Sequence, residues 1–115
     1  MVKYGKVWGT TCPIEQNASL EFHRIEIKAG FECSKHCHQH KFNGFMVESG
    51  ELEIHVWKNN YDLVDITVLK SGEYTKVPPG EYHKFVCKQD TICYELYWSE
   101  LSHDDIVRET VGGQS

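Results

Sequence analysis

The chain has 115 residues, enough for one domain and too few for a second core. Hydrophobic residues make up 40% and charged residues 25%, a globular balance that excludes a disordered chain. With 17 acidic against 12 basic side chains the net charge is −5, and no Lys/Arg stripe offsets it, so nucleic acid is not an expected partner.

No apolar run approaches the roughly 18 residues of a membrane span, and Met1-Val2-Lys3-Tyr4 does not open a signal peptide. The expectation is a cytoplasmic chain without a membrane partner. The 5 cysteines (Cys12, Cys33, Cys37, Cys87, Cys93) are an odd number, which favours reduced thiols over a disulfide framework.

Short alternating segments follow one another with turn residues between them. Leu20 to Lys28 alternates, with Ile25 and Ile27 on one face, and Ala29-Gly30 ends it. Phe45 to Ser49 is a second strand, broken at Gly50. Leu52, Ile54 and Val56 share one face of a third. Asn59-Asn60 suits a two-residue hairpin turn, with Tyr61 to Leu69 as the return strand. Ser71-Gly72 turns the chain again, and Pro78-Pro79-Gly80 makes a stiff corner before a strand from His83 to Cys87. Ile92 to Trp98 is the last strand. Ser102 can cap a short C-terminal helix over 102–109, with Asp104 and Asp105 in its first turn. The pattern predicts an all-β fold, a jelly-roll-like barrel whose interior can hold one small ligand.

The chemistry lies in the histidines. His36 and His38 are two residues apart, so in extended backbone both leave the same face and can converge on one ion. His40 continues that period, though Gln39-His40-Lys41 is polar enough for a turn. His83 follows the Pro-Pro-Gly corner. A facial set of nitrogen donors with open positions suits a transition metal. Asn43 shares its face with Phe45 and Val47, and His83 shares its face with Phe85 and Cys87, so these four apolar residues are expected to line a pocket.

Gly30, then His36-x-His38, Asn43 and Gly50, resembles the first cupin motif. Gly72, Pro78-x-Gly80, His83 and Cys87 resemble the second. The chain departs from the pattern at Asn43, where the family usually has a metal-ligating glutamate, and at Cys87, where it usually has asparagine. The resemblance implies a single cupin domain over 1–115, its core at about 20–98. It implies one divalent transition metal per chain, with Zn, Fe, Mn and Ni not distinguishable. The implied ligands are His36, His38 and His83, with Asn43 in the fourth place and His40 as a substitute. On this reading a carboxylate restored by Asn43→Glu should tighten metal retention. Cys33-x-x-His36-Cys37-His38 also permits a cysteine-containing zinc site, although Cys37 in a strand points away from its histidine neighbours.

Three activities compete. Val7-Trp8-Gly9, the His-x-His segment and the Pro-Pro-Gly-x-x-His corner are similar to small mannose-6-phosphate-isomerase-like cupins, which implies isomerase- or epimerase-like work on a small sugar derivative. The neutral ligand set resembles that of three-histidine iron dioxygenases. A non-catalytic small-molecule or metal binder is the third. No general base is singled out among Glu32, Lys35, Tyr82 and Glu95. Trp57 and Trp98, read as outward-facing, make a homodimer the expected assembly.

Overall fold

The alternation of apolar and polar side chains produces strands throughout. A computed structural model describes residues 1–58, 63–99 and 103–114. Its strands are β1 (Tyr4–Lys6), β2 (Gly9–Gln16), β3 (Leu20–Ile27), β4 (Phe42–Ser49), β5 (Glu51–Trp57), β6 (Val64–Lys70), β7 (Tyr74–Val77), β8 (Tyr82–Cys87) and β9 (Thr91–Trp98). They form a six-stranded sheet in the order β1-β2-β3-β9-β4-β7 and a three-stranded sheet in the order β6-β5-β8. Neighbours within both sheets run antiparallel. The described residues contain no helix, hence none long and apolar enough to cross a membrane.

Inward positions of the two sheets meet in one core. Ile25 and Ile27 of β3, Phe45 and Val47 of β4, Leu52 and Ile54 of β5, and Phe85 of β8 are each at most 2% exposed. Burying one such side chain contributes about 1.5–3 kcal/mol, so period-2 alternation sets which face of each strand turns inward. Trp57 and Trp98, expected to face outward, are half-buried. Trp98 stacks on Phe42 at 5.4 Å, and the Lys35 ammonium lies over Trp57 at 4.1 Å.

The expected helix over 102–109 does not form among the described residues. His103 and Asp104 make a turn, and residues 105–109 carry no helical structure; Ser102 lies outside the described residues. The segment packs no apolar stripe against the core, since Ile106 and Val107 are exposed, and an isolated turn of helix is marginal in water. The Asn59-Asn60 turn also lies outside the described residues, although Trp57 pairs with Val64 across it.

The segment between β3 and β4 positions the site. Its amides and carbonyls bond to the free edge of β8: Gly30 N to Cys87 O (2.9 Å), Cys33 N to Phe85 O (3.2 Å), and a reciprocal pair between His36 and His83 (3.0 and 2.8 Å). Isolated bridges join Glu32 to Val86 and His36 to His83. Between these two bridges the segment advances four residues while β8 advances three, so one extra residue is accommodated, as in a bulge. After the His36 bridge residues 37–41 belong to no strand, so the strand expected around His36-x-His38 does not form. The Gly80 amide, at a φ of 87° that favours glycine, donates to His38 O at 2.8 Å and ties the segment to the Pro-Pro-Gly corner.

Candidate metal site

His36 and His38 come from the bulged segment and His83 from the start of β8, yet their side chains converge. Ring centroids lie 5.0 Å apart for His36–His38, 4.6 Å for His36–His83 and 5.6 Å for His38–His83. One donor nitrogen from each falls within 4.8 Å of the others. His40 is exposed and outside this cluster.

The hydrogen bonds around the rings set which nitrogen faces the centre. His36 Nδ1–H donates to Ser34 O at 2.7 Å, and His83 Nδ1–H donates to Glu81 O at 3.0 Å. In each case the carbonyl two residues back holds the proton on Nδ1 and leaves Nε2 with a free lone pair. Metal-ligating histidines are oriented in this way. His38 Nε2 is buried and has no hydrogen-bond partner. Burial, with the neighbouring His36 and His83, pushes the His38 pKa down to about 4, and burial lowers that of His83 as well. Protonation of these rings is thus disfavoured, and unprotonated imidazole is the ligating form.

Asn43, on β4 and fully buried, completes the floor. Its Nδ2 donates to Leu96 O at 3.2 Å and to Glu95 Oε2 at 3.4 Å. Both acceptors hold the amide nitrogen outward from the cluster, so Oδ1 faces His83 Nε2 at 2.9 Å. The neutral His83 ring has one proton for these two acceptors: on Nε2 it bonds Asn43 Oδ1, and on Nδ1 it bonds Glu81 O and leaves two lone pairs facing each other, an arrangement a cation relieves. Donors each about 2.1 Å from one ion at near-right angles stand about 3 Å apart, which matches this spacing. The orphaned nitrogen of His38 and the facing lone pairs of His83 and Asn43 fit a divalent metal held by three imidazoles and an amide oxygen.

The cysteine alternative fits less well. Cys33 Sγ accepts the Phe85 amide at 3.2 Å, and burial raises its thiol pKa to about 11. Cys37 does not join the histidines; it lies beside Tyr82, whose phenol pKa it raises. A thiol held in its protonated form is a poor ligand.

The cluster opens into a cleft of about 770 Å³. Of the four apolar residues expected to line it, Phe85 does, edge-on to Trp8 at 5.1 Å. Phe45, Val47 and Cys87 lie in the packed core instead, each at most 1% exposed, because their inward face is filled by the opposing sheet before it reaches the cleft. Among the candidate bases, Glu32 and Glu95 line the cleft, whereas Lys35 lies over Trp57 and Tyr82 is exposed outside it. Glu95 is almost wholly buried, and burial raises its carboxyl pKa against hydrogen bonds from Tyr97 and Asn43. Burial likewise raises the Tyr97 phenol above its ordinary value.

A second polar group lies in the same cleft and was not anticipated. Thr11 Oγ1 is 3.2 Å from His23 Nδ1, and His23 Nε2 is 3.4 Å from Glu21 Oε1. Tyr97 stands between the two histidine groups, 5.0 Å from the ring of His38 and 6.1 Å from that of His23. Alternation put Thr11, His23, Glu95 and Tyr97 on inward faces, but only the pairing of β2, β3 and β9 brings them together.

No family model matches the chain, and no curated protein sequence matches it. Solved structures do. A cupin-2 domain containing protein from Shewanella frigidimarina superposes with a TM-score of 0.64 at 20% identity, covering 81% of this chain and 82% of that one. This chain has the cupin fold. KdgF from Halomonas sp. matches at 0.73 and 14% identity, with 88% of this chain and 90% of that one covered. The capsular polysaccharide assembling protein CapF from Staphylococcus aureus matches at 0.76 and 17% identity over 90% of this chain, which spans only 30% of CapF.

Proposed function

We propose that this cupin binds one divalent transition metal through His36, His38, His83 and Asn43 Oδ1 and acts on a small polar metabolite such as a sugar derivative, in an isomerase- or epimerase-like reaction. The observation that carries the reading is the convergence of three imidazole nitrogens, that of His38 buried and unpartnered, on the floor of an open cleft whose walls hold proton-handling groups. A metal bound there supplies Lewis acidity to a substrate carbonyl or hydroxyl. The chain's own residues do the rest. Trp8 and Phe85 offer an apolar wall for a sugar-sized ring. Glu95, buried at the cleft wall, and His23, bridged between Thr11 and Glu21, can take or return a proton inside the cleft. The likeness to CapF, named for capsular polysaccharide assembly, supports a carbohydrate substrate class.

The neutral donor set favours a second reading, a three-histidine iron dioxygenase, because no carboxylate takes part. The test is metal analysis of untagged protein, followed by incubation with aldoses and ketoses in D2O. Carbon-bound hydrogen exchange seen by NMR supports the isomerase-like reading. Oxygen uptake on iron loading overturns it in favour of the dioxygenase. Ligand binding without either overturns both in favour of a non-catalytic binder. Metal-free protein that takes up no divalent ion overturns the metal site itself.

A further inference from the structure

We propose that Glu95 is a positioning residue that makes an amide, not a carboxylate, the correct side chain at position 43. This deepens the metal-site reading above, and rests on it only where metal affinity is concerned. The observation is one of donor and acceptor matching. Asn43 is fully buried, and three acceptor groups face it: Leu96 O, Glu95 Oε2 and the Nε2 lone pair of His83. Asn43 offers two N–H groups and one oxygen. Only one orientation satisfies Leu96 O and Glu95, and it turns Oδ1 toward the histidines. Glu95 is itself buried on β9 in register with Phe45 of β4, which keeps its carboxyl beside Asn43.

A carboxylate at 43 has no N–H to give. One of its oxygens would reach the metal position while the other faced the Leu96 carbonyl, which only accepts, and the Glu95 carboxyl, which donates only while it holds a proton. An unpaired buried acceptor costs more than a hydrogen bond gains. The chain therefore regains the family's usual anionic ligand at position 43 only where position 95 supplies a donor. The donor must be returned from position 95 at the same time.

The experiment compares the parent chain with Asn43→Asp, Glu95→Gln and the double variant, measuring zinc affinity by dye competition and the thermal midpoint without metal. Asn43→Asp keeps the shape and removes the donor. It should bind zinc about tenfold more weakly or worse, the loss typical of a disturbed outer partner, and melt lower than the parent. Glu95→Gln alone should bind zinc like the parent, since a glutamine oxygen still accepts from Asn43. In the double variant the amide introduced at position 95 donates to the carboxylate introduced at position 43, so zinc affinity and midpoint should both recover. A merely structural role for Glu95 would not give recovery from a swap of donor for acceptor. Tighter zinc binding by Asn43→Asp alone, or no recovery in the double variant, overturns the proposal. If the parent binds no zinc, the metal-site reading fails while the midpoints still decide the matching of positions 43 and 95.

Discussion

The two halves of the histidine cluster are built differently. His83 and Asn43 sit on β8 and β4, at most 1% exposed, and sheet pairing fixes the backbone that carries them. His36 and His38 sit on a bulged segment that borrows the edge of β8 and the Gly80 amide for its hydrogen bonds, and both are only half-buried. The floor is part of the core, and the segment above it is a flap of backbone laid against that core. Sites built on rigid elements hold geometry best, and positions with few buried contacts open most readily. A metal would therefore find two donors ready and gather the other two.

The largest expected effect separates these halves. His83→Ala should abolish metal binding and also lower the stability of the metal-free chain by about 2–4 kcal/mol, as large-to-small changes in cores do. It leaves a cavity against Phe45, whose ring centroid lies 6.4 Å from that of His83. His36→Ala should abolish metal binding equally while costing the metal-free chain less than about 1 kcal/mol, because its side chain is half in solvent and its backbone bonds remain. Denaturant unfolding without metal checks both. Equal losses from the two variants would erase the distinction between floor and flap.

Much of this was readable beforehand, and the misses have physical causes. The strands at 20–28, 45–49, 52–56, 83–87 and 92–98 were legible because their apolar residues alternate. β2 was not, since its run Gly-Thr-Thr-Cys-Pro-Ile-Glu-Gln is mostly polar and carries an irregularity between Pro13 and Glu15. β7 has only four residues, too short for a pattern. The three histidines showed in their spacing and in the Pro-Pro-Gly corner. The orientation of Asn43 did not, because it depends on β4–β9 register, which pairs Asn43 with Tyr97 and Phe45 with Glu95. Glu95 was one of four candidate bases with nothing to single it out, until that pairing put its carboxyl beside a buried amide.

A smaller effect should appear on acidification. The folded-state pKa of His38 is near 4 and that of His83 is also below the ordinary 6.5. Between these values the unfolded chain holds more protons than the folded one, so stability is fully present above pH 6.5 and is lost as the pH falls toward 4. The thermal midpoint of the metal-free chain should fall over that window, and His38→Gln should flatten the slope. An unchanged slope in His38→Gln would mean that the flap already opens in the metal-free chain and leaves its histidine in water.

The smallest expected effect concerns the cysteines on the flap. Cys33 faces the core, its sulfur accepting the Phe85 amide, so it is part of what seats the segment on β8. Cys37 lies between the two ligand histidines in sequence, yet its side chain turns to Tyr82, an exposed residue outside the cleft. Cys37→Ser keeps a polar atom of similar size beside Tyr82 and should change neither metal content nor the thermal midpoint beyond about 0.5 kcal/mol. Metal content by elemental analysis is the measurement that counts. Loss of metal in Cys37→Ser would mean that the flap can turn this thiol inward, and the centre would then be a mixed cysteine–histidine zinc site assembled by the flap alone.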